Sequence, residues 1–212
     1  YTVDEHTVFA VGILSGIETG KFAEEFPLAT KIIGDVLSRE VLYLALFLHD
    51  IGKGRGGNHS VIGARIARKL GPRLSLSDEE TETVAWLVEH HLLLSNTAFK
   101  RDIGDPRTVQ NFVESVQSLE RLRLLLILTV ADIRAVGPRV WNGWKGQLIQ
   151  ELYNEAAADL SAGRTRLDRK ERVEGAKISL RAALKDWTAD DKEAHVARGY
   201  PSYWLSFDTD SH

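Results

Sequence analysis

Apolar side chains recur at offsets of three and four from Asp4 to Glu18, where Phe9, Ala10, Ile13 and Ile17 share one face with His6. This spacing predicts a helix with His6 turned toward the core. From Arg39 to Asp50 the pattern changes: Val41, Leu42, Leu44, Ala45, Leu46, Phe47 and Leu48 leave almost no polar face, which predicts a helix in the middle of the fold with His49 and Asp50 at its end. The run Gly52-Lys53-Gly54-Arg55-Gly56-Gly57-Asn58 reads as a loop, and a further helix is expected from near Ser60 to Leu70, with His59 at its mouth and Gly71-Pro72 as its stop. Ser77 and Glu80 form a capping box for a helix reaching His91, whose apolar face of Trp86, Leu87 and Val88 precedes His90 and His91.

Asp105 and Pro106 cap and open a helix to Val116, and another is expected from Leu119 to Val136, closed by Gly137-Pro138. Two longer amphipathic helices come next, 145–160 and 168–187, separated by polar loops around Gly163. Strand signals are scarce, so the expected fold class is all-α, a helical bundle with its chemistry at the centre. The stretch 1–198 reads as one domain. At 199–212 helical periodicity breaks, as in a linker or the lead-in to a further domain, and a chain opening at Tyr1 reads as a piece of something longer.

Composition narrows the chemistry. The formal net charge of −3 and the pI near 6.2 give no global basic field, so nucleic acid is not an expected partner. Without cysteine, a bound metal has to be held by imidazole and carboxylate. The apolar stretch from Leu124 to Ala131 is far shorter than the ~20 residues that cross a bilayer, so no membrane association is expected. A cytoplasmic location fits these features.

Asp132 sits among Leu124, Leu125, Leu126, Ile127, Leu128, Val130 and Ile133, where a carboxylate is costly to bury without a cation or hydrogen bonds. Five histidines, at positions 6, 49, 59, 90 and 91, stand at helix ends or on apolar faces together with Asp50. Neutral imidazoles and hard carboxylates form the ligand set of Mn, Fe or Zn, or of Mg where imidazoles are fewer. Asp50 is the candidate bridging ligand between two divalent ions, because a carboxylate can bind two cations and an imidazole one.

The order His6, His49-Asp50, His59, His90-His91, Asp132 resembles the HD superfamily of metal-dependent phosphohydrolases. Lys53 matches the His-Asp-x-x-Lys variant of binuclear members such as the HD-GYP phosphodiesterases. The text around these residues is more specific: His-Asp-Ile-Gly-Lys-Gly-Arg-Gly-Gly-Asn-His-Ser at 49–60, His-His-Leu-Leu-Leu-Ser-Asn at 90–96, Leu-Thr-Val-Ala-Asp-Ile-Arg-Ala-Val-Gly-Pro at 128–138, then Trp141-Asn142 and Trp144-Lys145. It is similar to the HD domains of bifunctional uridylyltransferase/uridylyl-removing enzymes, with Gly52 and Asn58 where that resemblance predicts alanine and aspartate. Gly199-Tyr200-Pro201 lies outside the context in which an HD-GYP domain carries those residues.

The resemblance implies a hydrolase that removes UMP from a modified tyrosine of the PII nitrogen-regulatory protein, with glutamine sensed in downstream domains. It implies His6, His49, Asp50 and Asp132 on one metal, and Asp50, His59, His90 and also His91 on the other, with the ions Mn²⁺ or Mg²⁺ and Fe or Zn compatible. Asp50 and Lys53 are the expected catalytic pair. Arg55, Lys100, Arg101 and Arg134 are candidates for phosphate or substrate contact. Two alternatives stay open at this point: an HD phosphodiesterase or nucleotide hydrolase of other substrate, and a non-catalytic HD module that docks PII.

Overall fold

The computed structural model describes residues 2–137, 140–184 and 187–198. Among the described residues there are ten α-helices, two 3-10 turns and no strand, as the spacing of apolar positions requires. Contacts divide the chain into two compact units, Tyr1–Leu160 and Ser161–His212.

In the first unit, α1 (Val3–Glu18), α3 (Arg39–Leu48) and α8 (Leu119–Val136) surround the centre. α8 is buried at every position from Leu124 to Ala131, and α3 buries Val41, Leu42, Ala45, Leu46 and Leu48, which makes both of them core helices rather than amphipathic surface ones. α1 turns His6, Ala10, Leu14 and Ile17 inward. Phe9, expected on that face, is half exposed, because the buried stripe follows Leu14 and Gly16 instead. Arg39 and Tyr43 of α3 both bind Glu18 at the end of α1, at 2.8 and 2.7 Å, and fix the register of the two helices.

The helices α4 (His59–Leu70) and α5 (Asp78–His90) form a hairpin against α3. Asn58 caps α4 through the amides of Ser60 and Val61, and the Ser77/Glu80 capping box starts α5. Gly71-Pro72 ends α4 at Leu70 as expected, and the chain continues in a 3-10 turn, Gly71–Leu74, since proline is tolerated in a first turn. Gly63 is where the hairpin closes: a Cβ there would lie 2.8 Å from Val88.

Two short helices in this unit had no sequence forecast. α2 (Pro27–Ile32) opens on a proline but is only six residues long, too short for a periodic pattern, and α6 (Leu93–Lys100) starts straight after His91-Leu92 without a side-chain cap. α7 (Pro106–Val116) begins at the Asp105 cap as expected.

The forecast of separate helices at 145–160 and 168–187 is corrected: α9 runs without interruption from Gly143 to Ala183. A lone glycine such as Gly163 costs a helix about 1 kcal/mol relative to alanine but does not break it, and no proline occurs from 139 to 200. In the second unit Val173, Leu180 and Val196 of α9 and α10 (Ala189–Arg198) make a small apolar cluster, with Arg181 paired to Glu193 at 2.6 Å. The expected lead-in at 199–212 lies outside the described residues. No helix among those described is long and apolar enough to cross a membrane.

Candidate metal centre

Helix ends place the chemistry. His49 follows the last residue of α3 and His91 the last residue of α5, positions at which the final helix carbonyls have no partner along the helix. Each imidazole meets such a carbonyl three residues back: His49 Nδ1 donates to Leu46 O at 2.6 Å and His91 Nδ1 to Val88 O at 2.8 Å. This bond fixes the ring and its tautomer and turns the Nε2 lone pair outward, the arrangement in which histidine binds a metal. His59 comes from the first turn of α4, His6 from α1 and Asp132 from the last turns of α8.

These side chains converge as two groups about Asp50. His6, His49 and Asp132 form one, and Asp50, His59 and His91 form the other, the ligand atoms within each lying within 4.8 Å of one another. In the first, His6 Nε2 is 2.9 Å from Asp132 Oδ1 and His49 Nε2 is 3.5 Å from it. In the second, the His59 and His91 Nε2 atoms are 3.4 Å apart.

Asp50 faces both. Its Oδ2 lies 3.4 Å from His49 Nε2 and 3.9 Å from His6 Nε2, while its Oδ1 lies 3.9 Å from both His59 and His91 Nε2. Lys53 Nζ binds Oδ2 at 2.5 Å.

The residues fit a cation. His49 Nε2 and Asp50 Oδ1 are buried without a hydrogen-bond partner, and a buried polar atom left in that state is costly unless something absent from the protein chain satisfies it. Electrostatics point the same way. Burial works against charge on all three groups, yet the Asp132 and Asp50 carboxylates hold His49 up at about 10, and His49 with its neighbours holds both carboxyls well below the usual range. Burial pushes His91 down, leaving it neutral. In the metal-free protein two ionised carboxylates thus sit beside a protonated His49 and Lys53, and a cation entering among these nitrogen and oxygen donors would replace the His49 proton.

His90 departs from the expectation. Its Nδ1 donates to Trp86 O at 2.9 Å and its ring stacks on Trp86 with centroids 4.7 Å apart, so it belongs to neither group, and His91 takes the place expected of it. Adjacent helix positions point about 100° apart, and at the end of α5 it is His91 that faces the site while His90 turns onto Trp86.

Of the candidate cations, Lys53 alone reaches the centre. Arg55 is exposed and donates to Ile51 O at 3.1 Å; Arg134 is paired with Glu25 at 2.7 Å, away from Asp132. Lys100 binds Asn96 at 2.7 Å, and Arg101 lines a separate cavity with Asp105 and Arg107. Beside His59 opens a further cavity of about 530 Å³, bounded by His90, Leu92, Leu93 and Asn96, which sequence patterns did not reveal. The one signal available was Trp86, four residues before His90 and able to carry its ring.

A buried His/Asp centre inside a helical bundle defines an HD-type fold, and the HD domain family model matches residues 5–136: the chain belongs to the HD domain family. Its similarity to known proteins is closer still. It is 58% identical over 211 residues to a bifunctional uridylyltransferase/uridylyl-removing enzyme of Azospirillum brasilense, 52% over 212 residues to that of Rhodospirillum rubrum and 51% over 212 residues to that of Cereibacter sphaeroides. In each case all of this chain is covered but only 23% of the relative, so the chain spans about a quarter of the length of these relatives.

Proposed function

We propose that this chain is the uridylyl-removing hydrolase of such an enzyme, cleaving the phosphodiester that joins UMP to a tyrosine of the PII protein. The observation that carries this reading is the position of Asp50, with one oxygen toward each group of ligands, in a chain so similar to enzymes of that name. His6, His49 and Asp132 would hold one divalent ion and His59 and His91 the other, with Asp50 shared; Mn²⁺ and Mg²⁺ are the candidates, Fe and Zn being compatible with the imidazoles. When bound, such a pair of ions supplies Lewis acidity and activates water for in-line displacement at phosphorus.

The chain's own residues do the rest. Asp50 orients both halves of the site, and the Leu46 and Val88 carbonyls keep His49 and His91 aimed. Lys53, 47% exposed, stands where its ammonium can turn from Asp50 to an equatorial phosphoryl oxygen and neutralise charge there. A tyrosine phenolate, with a pKa of about 10, leaves without a strong acid beside it, and none is required of the chain. Residues 1–198 act as the hydrolytic domain in this reading, and 199–212 as a linker toward a further domain. The reaction belongs to the cytoplasm and needs neither nucleic acid nor membrane. Control by glutamine would reside in parts of the longer relatives that this chain does not span.

The test is UMP release from uridylylated PII in Mn²⁺, with a chelator and a generic aryl phosphodiester as controls. Chelator-sensitive release with a preference for PII is the expected result. Metal binding with no release would sink the reading in favour of a docking module.

A further inference from the structure

The cavity beside His59 shares that one residue with the second group of ligands, and its other lining residues belong to neither group. Its volume of about 530 Å³ falls within the ~300–1,000 Å³ typical of small-molecule sites. Its walls are chemically distinct from the metal pocket. Leu92 and Leu93 supply apolar surface at the turn into α6, and neither lysine nor arginine lines it. Its one carboxylate, Glu89, lies 3.9 Å from an Arg68 nitrogen. A phosphate would meet Glu89 without a lining cation to receive it, so the cavity suits an uncharged polar group.

Alongside Asn58 and Ser60 at the start of α4, two side chains give it hydrogen-bonding direction. His90 is held by the Trp86 stack and by the bond from its Nδ1 to Trp86 O, which leaves Nε2 as an acceptor. Asn96 accepts Lys100 through Oδ1, which leaves its Nδ2 as a donor. One acceptor and one donor above a leucine floor match a base with adjacent C=O and N–H groups, or the hydroxyls of a ribose. The cationic Lys53 lies at Asp50 Oδ2, whereas His59 and the cavity lie on the Oδ1 side.

The geometry points to this cavity as the nucleoside subsite: the uridine lies along Leu92 and Leu93 between His90 Nε2 and Asn96 Nδ2, while its phosphate stays at Asp50 and Lys53. The inference rests on the uridylyl-removing reading above. It assigns His90 and Asn96 to recognition of the departing nucleotide, and it leaves the protein side of the scissile bond to face the opposite rim.

Kinetics with two small esters separate the possibilities, using the manganese-loaded protein, uridine 5′-(4-nitrophenyl phosphate) and methyl 4-nitrophenyl phosphate. Asn96 is exposed on α6 and alanine is a strong helix former, so Asn96→Ala is a safe variant, and His90→Gln accompanies it. The ratio of kcat/KM for the uridylyl ester to that for the methyl ester should fall about five- to tenfold in each variant, the loss of one hydrogen bond. Titration calorimetry should show UMP binding weakened relative to methyl phosphate by a similar factor. An unchanged ratio in both variants, with the wild type still preferring the uridylyl ester, overturns the subsite alone. A wild type with no preference for the uridylyl ester or for UMP overturns the functional reading, and the subsite with it.

Discussion

The two halves of the centre are built differently. His6, His49 and Asp132 come from α1, α3 and α8, the helices that make the core, and His49 is fully buried. His59 and His91 come from the ends of the α4/α5 hairpin, and the His59 side chain is 29% exposed beside an open cavity. The first group is therefore tied to folding, and the second to access. Between the halves lies Asp50, 2% exposed, with Oδ2 3.4 Å from His49 Nε2 and Oδ1 3.9 Å from His59 Nε2, the residue proposed above as their shared ligand.

Removing the shared residue should have the largest effect. Asp50→Ala is expected to abolish hydrolysis and metal uptake at both positions, while circular dichroism shows the helices retained; measurable turnover would contradict the bridging role. Next in size, His49→Ala and His59→Ala should separate the halves. Without His49, the Asp50 and Asp132 carboxylates face each other without a buried cationic partner, and breaking a buried pair costs roughly 3–5 kcal/mol. Denaturant unfolding in chelator should register that loss for His49→Ala and little change for His59→Ala, although both lose activity. Equal stability of the two variants would erase the distinction.

A smaller effect comes from pH. His49 is held at about 10 against an ordinary value of 6.5, so in metal-free protein its stabilisation is complete below about 6.5 and is lost as pH rises through about 10. Asp50 and Asp132, held low, contribute above the ordinary carboxylate range and lose that contribution in acid. The melting temperature in chelator should thus decline from pH 7 to 10. With manganese, which replaces the proton on His49, the decline should flatten, and parallel curves would contradict a metal at this residue. Smallest of all, Arg134→Ala should cost under ~1 kcal/mol and leave metal binding intact, since its partner Glu25 is a partly exposed one outside the centre.

The same contrast explains what the sequence made legible. Long helices with explicit caps, such as α5 with Ser77/Glu80 and α7 with Asp105, were readable from local chemistry, as was the burden of an aspartate within α8. Every side chain of the two ligand groups could be named as a candidate, because histidines at helix ends beside apolar runs are unusual in company. Which of His90 and His91 turns inward was not legible. It depends on where α5 stops and on the Val88 carbonyl that His91 satisfies, both matters of tertiary packing. Gly52 gives another such case: a Cβ there would lie 2.1 Å from the His59 carbonyl oxygen, so the alanine expected from resemblance requires the start of α4 to move in this structure. Nothing local to residue 52 announces that approach.

Asp50 is proposed to join two metal positions. The most direct measurement is manganese stoichiometry together with the electron paramagnetic resonance spectrum of the loaded protein. Two ions per chain with an exchange-coupled signal, lost in Asp50→Ala, is the result predicted. One ion per chain, or two ions with independent signals, would contradict it.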